Sequence, residues 1–361
     1  MLKHLKLAAA ALIVAAGFAS CGDDDPAPAP QPQPGDEWKA FIINQGNMGT
    51  VDGTVSAIGT DGSTVTAAAF YATNQQSLGD SPQAAVRYGS KIYVPVYGSN
   101  KLWVLDARSL RIVHDITVSQ PEAVCGGAGY VFVAGNDGQL TRLDTLQYQP
   151  TQLAVGPNPA GVAYNEADGN VYVTISDGYN YANGYADGKK VAVVRASDLS
   201  LTRNIAVGTN PGQILATPQG NVYVVARGDY YLEPARVQCI NAATGDVTDV
   251  ANGQLIALGS GNVLYVVDFT ADYTNDTCAV SSAAYSTTTG ALVSGWQLDQ
   301  AHLPGMPQAI DVDPSTGDIY VSSDPSPMGY TLQGAVYVYN RQGTHLRTLE
   351  AGIHPFSVVF K

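Results

Sequence analysis

The stretch Pro159–Ile175 reads PAGVAYNEADGNVYVTI and is the clearest copy of a unit that recurs along the chain. An apolar segment follows the proline, the chain turns at Asp168-Gly169, and a Val-Tyr-Val segment returns. Apolar segments on both sides of an Asp-Gly turn predict a β-hairpin. Further copies begin at Pro82, Pro121, Pro211 and Pro307, with a weaker copy at Gly253. The starts lie roughly 38 to 53 residues apart, close to the spacing of propeller blades.

This repetition predicts one all-β domain, a seven-bladed β-propeller with four antiparallel strands in each blade. One blade is expected to join the two ends of the chain, because Trp38–Asn44 (WKAFIIN) and Pro355–Phe360 (PFSVVF) have no hairpin partners beside them in the sequence. Their pairing would close the ring and remove exposed sheet edges. Thr54–Ile58 and Val65–Tyr71 would complete that blade. The alternative fold, a pair of β-sandwiches, requires no pairing between the chain ends.

The composition supports a strand-rich globular domain and argues against a nucleic-acid partner. Hydrophobic residues make up 45% of the 361 residues and charged residues 14%. Gly, Thr, Val and Tyr are abundant, which favours strands joined by tight turns. The formal net charge is −13 at pH 7, whereas phosphate backbones require a basic surface. We therefore expect no nucleic acid among the partners.

The first 20 residues predict a signal peptide that lies outside the fold. A basic start is followed by the apolar run Leu7–Phe18, which is too short to cross a bilayer. The run ends at Phe18-Ala19-Ser20-Cys21, which resembles a bacterial lipobox. We expect Cys21 to carry the lipid, and ordinary cleavage with an unmodified cysteine is the alternative.

Residues 21–37 predict a tether between the lipid and the domain. The acidic run Asp23–Asp25 comes first, and the proline-rich segment Pro26–Pro34 follows. Proline-rich segments adopt extended conformations and act as spacers. We expect residues 38–361 to form the propeller and the membrane to be contacted through the lipid anchor only.

The other three cysteines are Cys125, Cys239 and Cys278, and their spacing matches no metal-binding motif. Cys239 and Cys278 are expected on the third strands of neighbouring blades. A bond between them therefore stays open beside the simpler expectation of small buried thiols.

The loops between second and third strands are unequal, and this asymmetry indicates where a ligand binds. Tyr97–Asn100 and Gly135–Gly138 are short. The longer ones are Gln45–Gly53, Asp177–Lys189, Arg227–Pro234, Asp268–Thr277 and Asp324–Gly334. In a propeller these loops share a face with the connections between blades, here Thr73–Asp80, Gly156–Asn158, Gly208–Asn210, Asp299–Gly305 and Ala351–His354. Insertions confined to one face of a repeat protein favour a binding surface on that face.

The long loops are rich in tyrosine, which offers a flat apolar ring and a hydroxyl at low entropic cost. Amides and charged groups accompany the tyrosines. The candidate ligand-binding residues are Asn44, Gln45, Asn47, Asn74, Gln75, Tyr179, Tyr181, Tyr185, Arg227, Tyr230, Tyr231, Tyr273, Tyr330 and His354. We expect Tyr179, Tyr181, Tyr230 and Tyr231 to form one wall of the site. Asn44, Gln45 and Asn47 would face that wall, although single tyrosines in such loops also pack against blade edges.

An enzyme of the propeller lactonase or lyase type is the less favoured alternative, because it needs metal ligands or an acid–base pair near the axis. The histidines His114, His302, His345 and His354 are scattered among different blades, and only His302 and His354 are expected on the loop-bearing face. The cluster Asp177, Asn180, Asn183 and Asp187 does not match the calcium spacing of an EF-hand. We therefore expect no catalysis, no cofactor and no metal site.

Four features together resemble a known family: the lipobox with its acidic run, the opening AFIINQGNMGTVDGTVSAI from Ala40, the proline-started hairpins and the shared blade. They resemble the YncE-like propellers of Bacteroidetes and, within these, the BtuG-like surface lipoproteins that capture cobalamin. The most specific element is Asn44-Gln45-Gly46-Asn47, in which Gln45 stands where Glu is more usual. The resemblance implies corrinoid capture at the outer-membrane surface and transfer to a TonB-dependent transporter. A surface module that binds a glycan or another protein stays open, because its tyrosines and anchor would look the same.

Overall fold

The computed structural model describes residues 37–361, which form a closed ring of seven antiparallel sheets. Blades one and two contain β1 (Trp38–Asn44), β2 (Thr54–Gly59), β3 (Val65–Thr66), β4 (Val86–Tyr88), β5 (Lys91–Val96), β6 (Lys101–Asp106) and β7 (Ile112–Thr117). Blades three and four contain β8 (Pro121–Gly127), β9 (Tyr130–Gly135), β10 (Gln139–Asp144), β11 (Pro150–Ala154), β12 (Pro159–Asn165), β13 (Asn170–Ile175), β14 (Lys190–Arg195) and β15 (Ser200–Ala206). Blades five and six contain β16 (Pro211–Ala216), β17 (Asn221–Ala226), β18 (Arg236–Asn241), β19 (Val247–Asn252), β20 (Leu255–Gly259), β21 (Val263–Asp272) and β22 (Thr277–Ser286). Blade seven contains β23 (Met306–Val312), β24 (Ile319–Asp324), β25 (Gln333–Tyr339) and β26 (His345–Ile353), and β27 (Pro355–Phe360) returns to blade one.

The predicted seven-bladed ring and its closure are confirmed. β1 pairs antiparallel with β27, so that Ala40 lies opposite Phe360 and Ile42 opposite Val358. The innermost strands β27, β4, β8, β12, β16, β20 and β23 each contact the next around the ring and line a central channel. The pairing of the two chain ends leaves neither β1 nor β27 as an isolated strand.

The second strand of each blade carries most of the core, because sheets cover both of its faces. In β9 and β13 a Val-aromatic-Val sequence is fully buried, and β24 is buried along its whole length. Such strands read as continuous apolar runs, whereas the outermost strands alternate or are exposed. Burial between blades, rather than within one, therefore holds the ring together.

Two details of the blades differ from the sequence-based expectation. Val65–Tyr71 was expected as one strand, but the strand ends at Thr66 and helix α1 (Ala69–Asn74) follows. The reason is packing: Phe70 is buried with its ring 5.6 Å from that of Trp103, which an extended chain along blade one would not allow. In blade six the fourth strand is reduced to a bridge between Tyr285 and Leu292.

A backbone latch recurs where the chain enters an inner strand. The residue before the inner proline has a positive φ in five blades, at Ser81, Gln120, Asn158, Asn210 and His354. Its carbonyl accepts a hydrogen bond from the residue that follows the second strand, as in Tyr97 N–H to Ser81 and Arg227 N–H to Asn210. The latch brings the end of each second strand against the rim of the channel.

Cys125, Cys239 and Cys278 are free thiols, so no bond joins Cys239 to Cys278. Burial raises the pKa of each of the three. Among residues 37–361 no helix is long and apolar enough to cross a membrane. The expected signal peptide, the lipidated Cys21 and nearly all of the tether lie outside the described residues.

Candidate functional site

The two ends of the channel open on different faces. We call loop face the side that carries the loops after the second strands, and turn face the side of the tight turns between third and fourth strands. Long loops occupy residues 45–53, 176–189, 227–235 and 325–332 on the loop face, as expected. In blade six the expected loop Asp268–Thr277 is instead mostly strand, because β21 and β22 stay in register up to the pair Asp272 and Thr277.

Two of the predicted connections between blades also differ from the expectation. Residues 351–353 belong to β26, so only His354 separates that strand from β27. Asp299–Gly305 was expected on the loop face. However, Asp299 N–H donates to the carbonyl of Gly343, which lies in the turn between the third and fourth strands of blade seven. His302 therefore lies on the turn face, where its ring stacks on that of His345 at 4.4 Å.

Six side chains surround the loop-face end of the channel, and we call them the mouth ring. Each follows the residue that pairs with an inner-strand proline, so the repeat places them equivalently. They are Gln45, Tyr97, Asn136, Ser176, Arg227 and Asp324. All are partly or fully buried, and their chemistry changes from blade to blade, although five of the six follow the same backbone latch and Asp324 pairs with Met306 instead. A repeat position with constant backbone and variable polar side chains suits ligand recognition.

One side of the mouth ring joins blades two to five. The Tyr97 and Tyr179 hydroxyls are 2.6 Å apart, which links blade two to blade four. The pKa of Tyr97 is raised, mainly by burial and next by this hydrogen bond, and the nearby Glu122 carboxylate raises it further. Burial also raises the pKa of the Glu122 carboxyl, while the Arg227 guanidinium opposes that shift. Glu122 thus interacts electrostatically with both Tyr97 and Arg227.

Glycine makes room for the Arg227 side chain. A Cβ built on Gly212, the second residue of β16, would overlap the Arg227 guanidinium. The guanidinium therefore lies directly over the inner-strand backbone of its own blade. This position holds a fixed positive charge at the rim of the channel.

The other side of the mouth ring is built on Asp324 at the end of β24. Its Oδ2 is 2.7 Å from His354 Nδ1 and accepts a hydrogen bond from Gln308 Nε2 at 2.9 Å. Its Oδ1 is buried and has no hydrogen-bond partner among the described residues. The His354 ring also stacks on Phe356, the second residue of β27.

Exposed apolar side chains surround the mouth ring on the loop face, and we call them the crown. They are Met48, Val51, Tyr179, Tyr181, Tyr230, Tyr231, Leu232, Tyr273, Met328, Tyr330 and Leu332. Tyr231 and Leu232 are each 92% exposed. The remainder of the protein exposes fewer large apolar groups, namely Tyr71, Val113, Leu146, Leu201, Leu292, Val293 and Leu346.

Most of the predicted site residues meet on this face, and four are engaged elsewhere. Asn44 is fully buried; its amide donates to Thr54 and Ser56 and accepts from Gly352 N–H. Asn74 bonds to Leu110 and Ile112 at the turn face, and Gln75 follows it. Tyr185 is buried beneath the blade-five loop, close to Tyr230 and Asp229.

The remaining predicted residues lie on the loop face. Asn47 is partly buried and its amide is paired with Asp52 at 2.9 Å, whereas Gln45 and Arg227 belong to the mouth ring. Sequence reasoning missed the other four members of the mouth ring, which are Tyr97, Asn136, Ser176 and Asp324, and the neighbouring Glu122 and Gln308. Aligning the hairpins at their prolines and comparing the residue that follows the proline's partner on the second strand would have found the four ring members.

Two clefts lie away from the crown. One, of about 650 Å³, lies on the turn face between blades four and five and is lined by Tyr164, Asp168, Arg195 and Arg203 among others. Arg203 there donates to the Ala242 carbonyl, and Asp168 accepts from the Tyr172 hydroxyl, so their polar groups are already engaged. The other, of about 410 Å³, follows the edge of blade five near Arg236 and Asp249. Within residues 37–361 no group of three or more His, Cys, Asp or Glu side chains could hold a metal ion.

Comparisons with known proteins place the fold and the family. The chain is similar in structure to a quinoprotein alcohol dehydrogenase-like protein from Bacteroides thetaiotaomicron, with 16% identity, a TM-score of 0.62 and coverage of 90% of this chain and 78% of the other. A functionally unknown protein from Desulfotomaculum acetoxidans is 13% identical with a TM-score of 0.63, over 89% of this chain and 98% of its own. Hydrazine synthase from Kuenenia stuttgartiensis is 16% identical with a TM-score of 0.58, over 71% and 76% of the two chains.

At these identities the solved structures support the propeller fold alone, and no curated protein sequence matches the chain significantly. A family model described as a domain of unknown function, DUF5074, matches residues 39–360. This match spans almost all of the described residues, from β1 to the end of β27. The chain therefore belongs to the DUF5074 family of β-propellers.

Proposed function

We propose that the protein is a non-catalytic binding protein that captures a bulky small molecule over the mouth ring. The observation that carries the proposal is the concentration of exposed apolar side chains in the crown. Exposed apolar side chains concentrated in one part of a protein surface mark interaction sites. Here it surrounds a polar, charged centre, so the ligand needs apolar faces and a polar edge or core.

A corrinoid has that chemistry, and we propose it as the ligand. Its macrocycle is broad and largely apolar, and its edge carries several amide side chains. Tyrosines of the crown can cover the faces, while Gln45, Asn136 and Asp324 can pair with amides at the edge. Arg227 offers a positive charge for the phosphate of the nucleotide loop. Matched hydrogen bonds in a desolvated site discriminate against ligands that lack them.

The cellular part of the proposal follows the N-terminal motifs and the resemblance. We propose that Cys21 carries a lipid at the outer membrane, with the propeller at the cell surface. The loop face would deliver the corrinoid to a TonB-dependent transporter. Replacement of Cys21 by serine should release the protein from the membrane, and external protease should digest the wild-type protein on intact cells.

Titration of the purified mature protein with cyanocobalamin tests the ligand directly. Calorimetry or quenching of tyrosine and tryptophan fluorescence should show saturable binding, and the ligand should be recovered unchanged. No detectable binding at micromolar concentrations would overturn the corrinoid proposal. Retention on a glycan array in that case would favour the glycan-binding alternative, and chemical conversion of the ligand would favour an enzyme.

A further inference from the structure

His354 departs from the repeat at a position that the other blades fill differently. The equivalent residues before the inner prolines are Ser81, Gln120, Asn158 and Asn210, all with positive φ. None of these four carries an imidazole. His354 therefore brings a nitrogen ligand to the channel mouth at a point where the backbone requires only a residue that tolerates this conformation.

The neighbouring carboxylate fixes which nitrogen is available. Asp324 is 2% exposed, and its Oδ2 lies 2.7 Å from His354 Nδ1. An ionised carboxylate only accepts hydrogen bonds, so Nδ1 is the donor, and in the neutral imidazole that binds metals the lone pair is then on Nε2. Among residues 37–361 we find no hydrogen bond to Nε2, and the His354 side chain is 20% exposed. A histidine whose second nitrogen is held by a carboxylate is the usual arrangement of a metal ligand.

One imidazole alone does not hold a free metal ion, and the described residues contain no group of three that could. A metal that His354 binds must therefore arrive with its other positions filled, as in a macrocyclic chelate. The buried and unpartnered Asp324 Oδ1 is a second indication of a ligand, because a buried carboxylate oxygen without a donor is costly. An amide N–H at the edge of the macrocycle would supply that donor.

We infer that His354 Nε2 is an axial ligand to the cobalt of a bound corrinoid, with Asp324 as the residue that orients it. This inference rests on the proposed function and assigns one bond within that site. With aquocobalamin, the Nε2 lone pair forms a bond to cobalt and the axial water leaves. No electron or proton is transferred. Cyanocobalamin keeps its cyanide, so it binds through the mouth ring and the crown without this bond.

Absorption spectroscopy distinguishes the two ligands. Wild-type protein should shift the visible bands of aquocobalamin towards those of an imidazole adduct and leave those of cyanocobalamin in place. His354→Asn is the test variant, because asparagine occupies the equivalent positions 158 and 210 at positive φ and so preserves the latch. It should abolish the shift and weaken aquocobalamin binding by about tenfold or more, while cyanocobalamin affinity stays within about threefold. Asp324→Asn should reduce aquocobalamin affinity by about 10- to 100-fold, the usual loss when the carboxylate behind a histidine ligand is removed.

The turn face provides a matched control. His302 Nδ1 lies 3.0 Å from Asp299 Oδ2, and the His302 side chain is 54% exposed, so His302→Asn removes a similar pair far from the mouth. That variant should retain the spectral shift and the affinity. If both corrinoids bind and the aquocobalamin spectrum does not change, the axial bond is refuted and the proposed function stands. If neither binds, the proposed function fails and this inference fails with it.

Discussion

The mouth ring on the loop face and the turns on the turn face are built from the same repeats, but their polar side chains are bonded in different directions. On the turn face an Asp or Asn closes its own turn: Asp106 accepts from Ser109 N–H and Asp144 from Gln147 N–H. On the loop face, Tyr97 and Asp324 bond to residues of other blades or inner strands, and one Asp324 oxygen has no partner. Local bonding stabilises a turn and leaves little for a ligand. On the proposed function, the turns of the turn face serve stability and the mouth ring of the loop face serves recognition.

The largest effect on stability is expected at Asn44. This residue is an exception to the division, because it lies on the loop face but is buried and bonded within the fold. Asn44→Ala would remove bonds to Thr54, Ser56 and Gly352 in the blade that closes the ring. Groups left without partners there should lower the free energy of unfolding by about 2 to 4 kcal/mol. Chemical denaturation measures the change.

Asn47→Ala is the control in the same loop. Asn47 is only partly buried, so the loss of its amide bond to Asp52 should cost less than about 1 kcal/mol. Equal destabilisation by the two variants would show that Asn44 is not a structural residue of the ring closure.

The next largest effect is expected in the crown, where substitutions should weaken ligand binding and leave stability unchanged. Tyr181 and Tyr231 are 70% and 92% exposed, so replacing both with alanine should leave the unfolding transition in place. Loss of their contacts should weaken cyanocobalamin binding by about 10- to 100-fold, as for aromatic residues at binding hot spots. Fluorescence titration gives the affinity.

Tyr71→Ala serves as the matched variant, since Tyr71 is 56% exposed on α1, away from the crown. It should bind like the wild type. If Tyr71→Ala weakened binding as much as the double variant, exposed tyrosine in general, rather than the crown, would be responsible.

The ring was predictable because the sequence of each hairpin contains the signals for its own strands and turn. The prolines, the Asp-Gly turn at 168–169 and the Val-aromatic-Val strands are local signals, and closure followed from two unpaired end segments. α1 was missed because Phe70 is drawn out of the strand by packing on Trp103, a contact between blades that no local pattern contains.

The site was less predictable, because exposure and pairing depend on neighbours in other blades. Tyr185 and Tyr181 come from the same loop and look alike in the sequence, but the first is 5% exposed and the second 70%. The inserted strands of blade six also appeared to be a loop, since Asp268 and Asp272 are uncommon in strands. Tyrosine-rich loops thus predicted the face of the proposed site, whereas its polar centre is visible only in the assembled ring.

Asp311 provides a prediction about pH for the inner ring itself. It lies on β23, its Oδ2 accepts from Val358 N–H in the next inner strand, and burial raises the pKa of its carboxyl to about 7. Between the ordinary pKa near 4 and this value, the folded state keeps a proton that the unfolded state has lost. Stability should therefore fall as the pH rises from about 4 to about 7, and the loss should be complete above that range.

Asp311→Asn keeps an acceptor for Val358 and removes the titration. Above pH 7 the variant should be more stable than the wild type by about 2 to 4 kcal/mol, and the two should converge near pH 4. Thermal unfolding at a series of pH values measures the difference. A constant offset between the proteins at every pH would contradict the assignment.

The smallest expected effect comes from displacing a charge without removing it. Gly212→Ala places a Cβ where the Arg227 guanidinium lies, and the flexible arginine can move away without strain in the backbone. The variant should fold normally and bind cyanocobalamin about threefold more weakly, whereas Arg227→Ala should lose more because the charge is gone. Gly178→Ala, on the same face with Ser176 Oγ at 3.3 Å as its nearest neighbour, should change neither property. Gly212→Ala could match the wild type while Arg227→Ala loses affinity. In that case the positive charge of Arg227 would contribute to binding, but its position above the inner strand would not. The mouth ring would then act through long-range electrostatics rather than as a preorganised site.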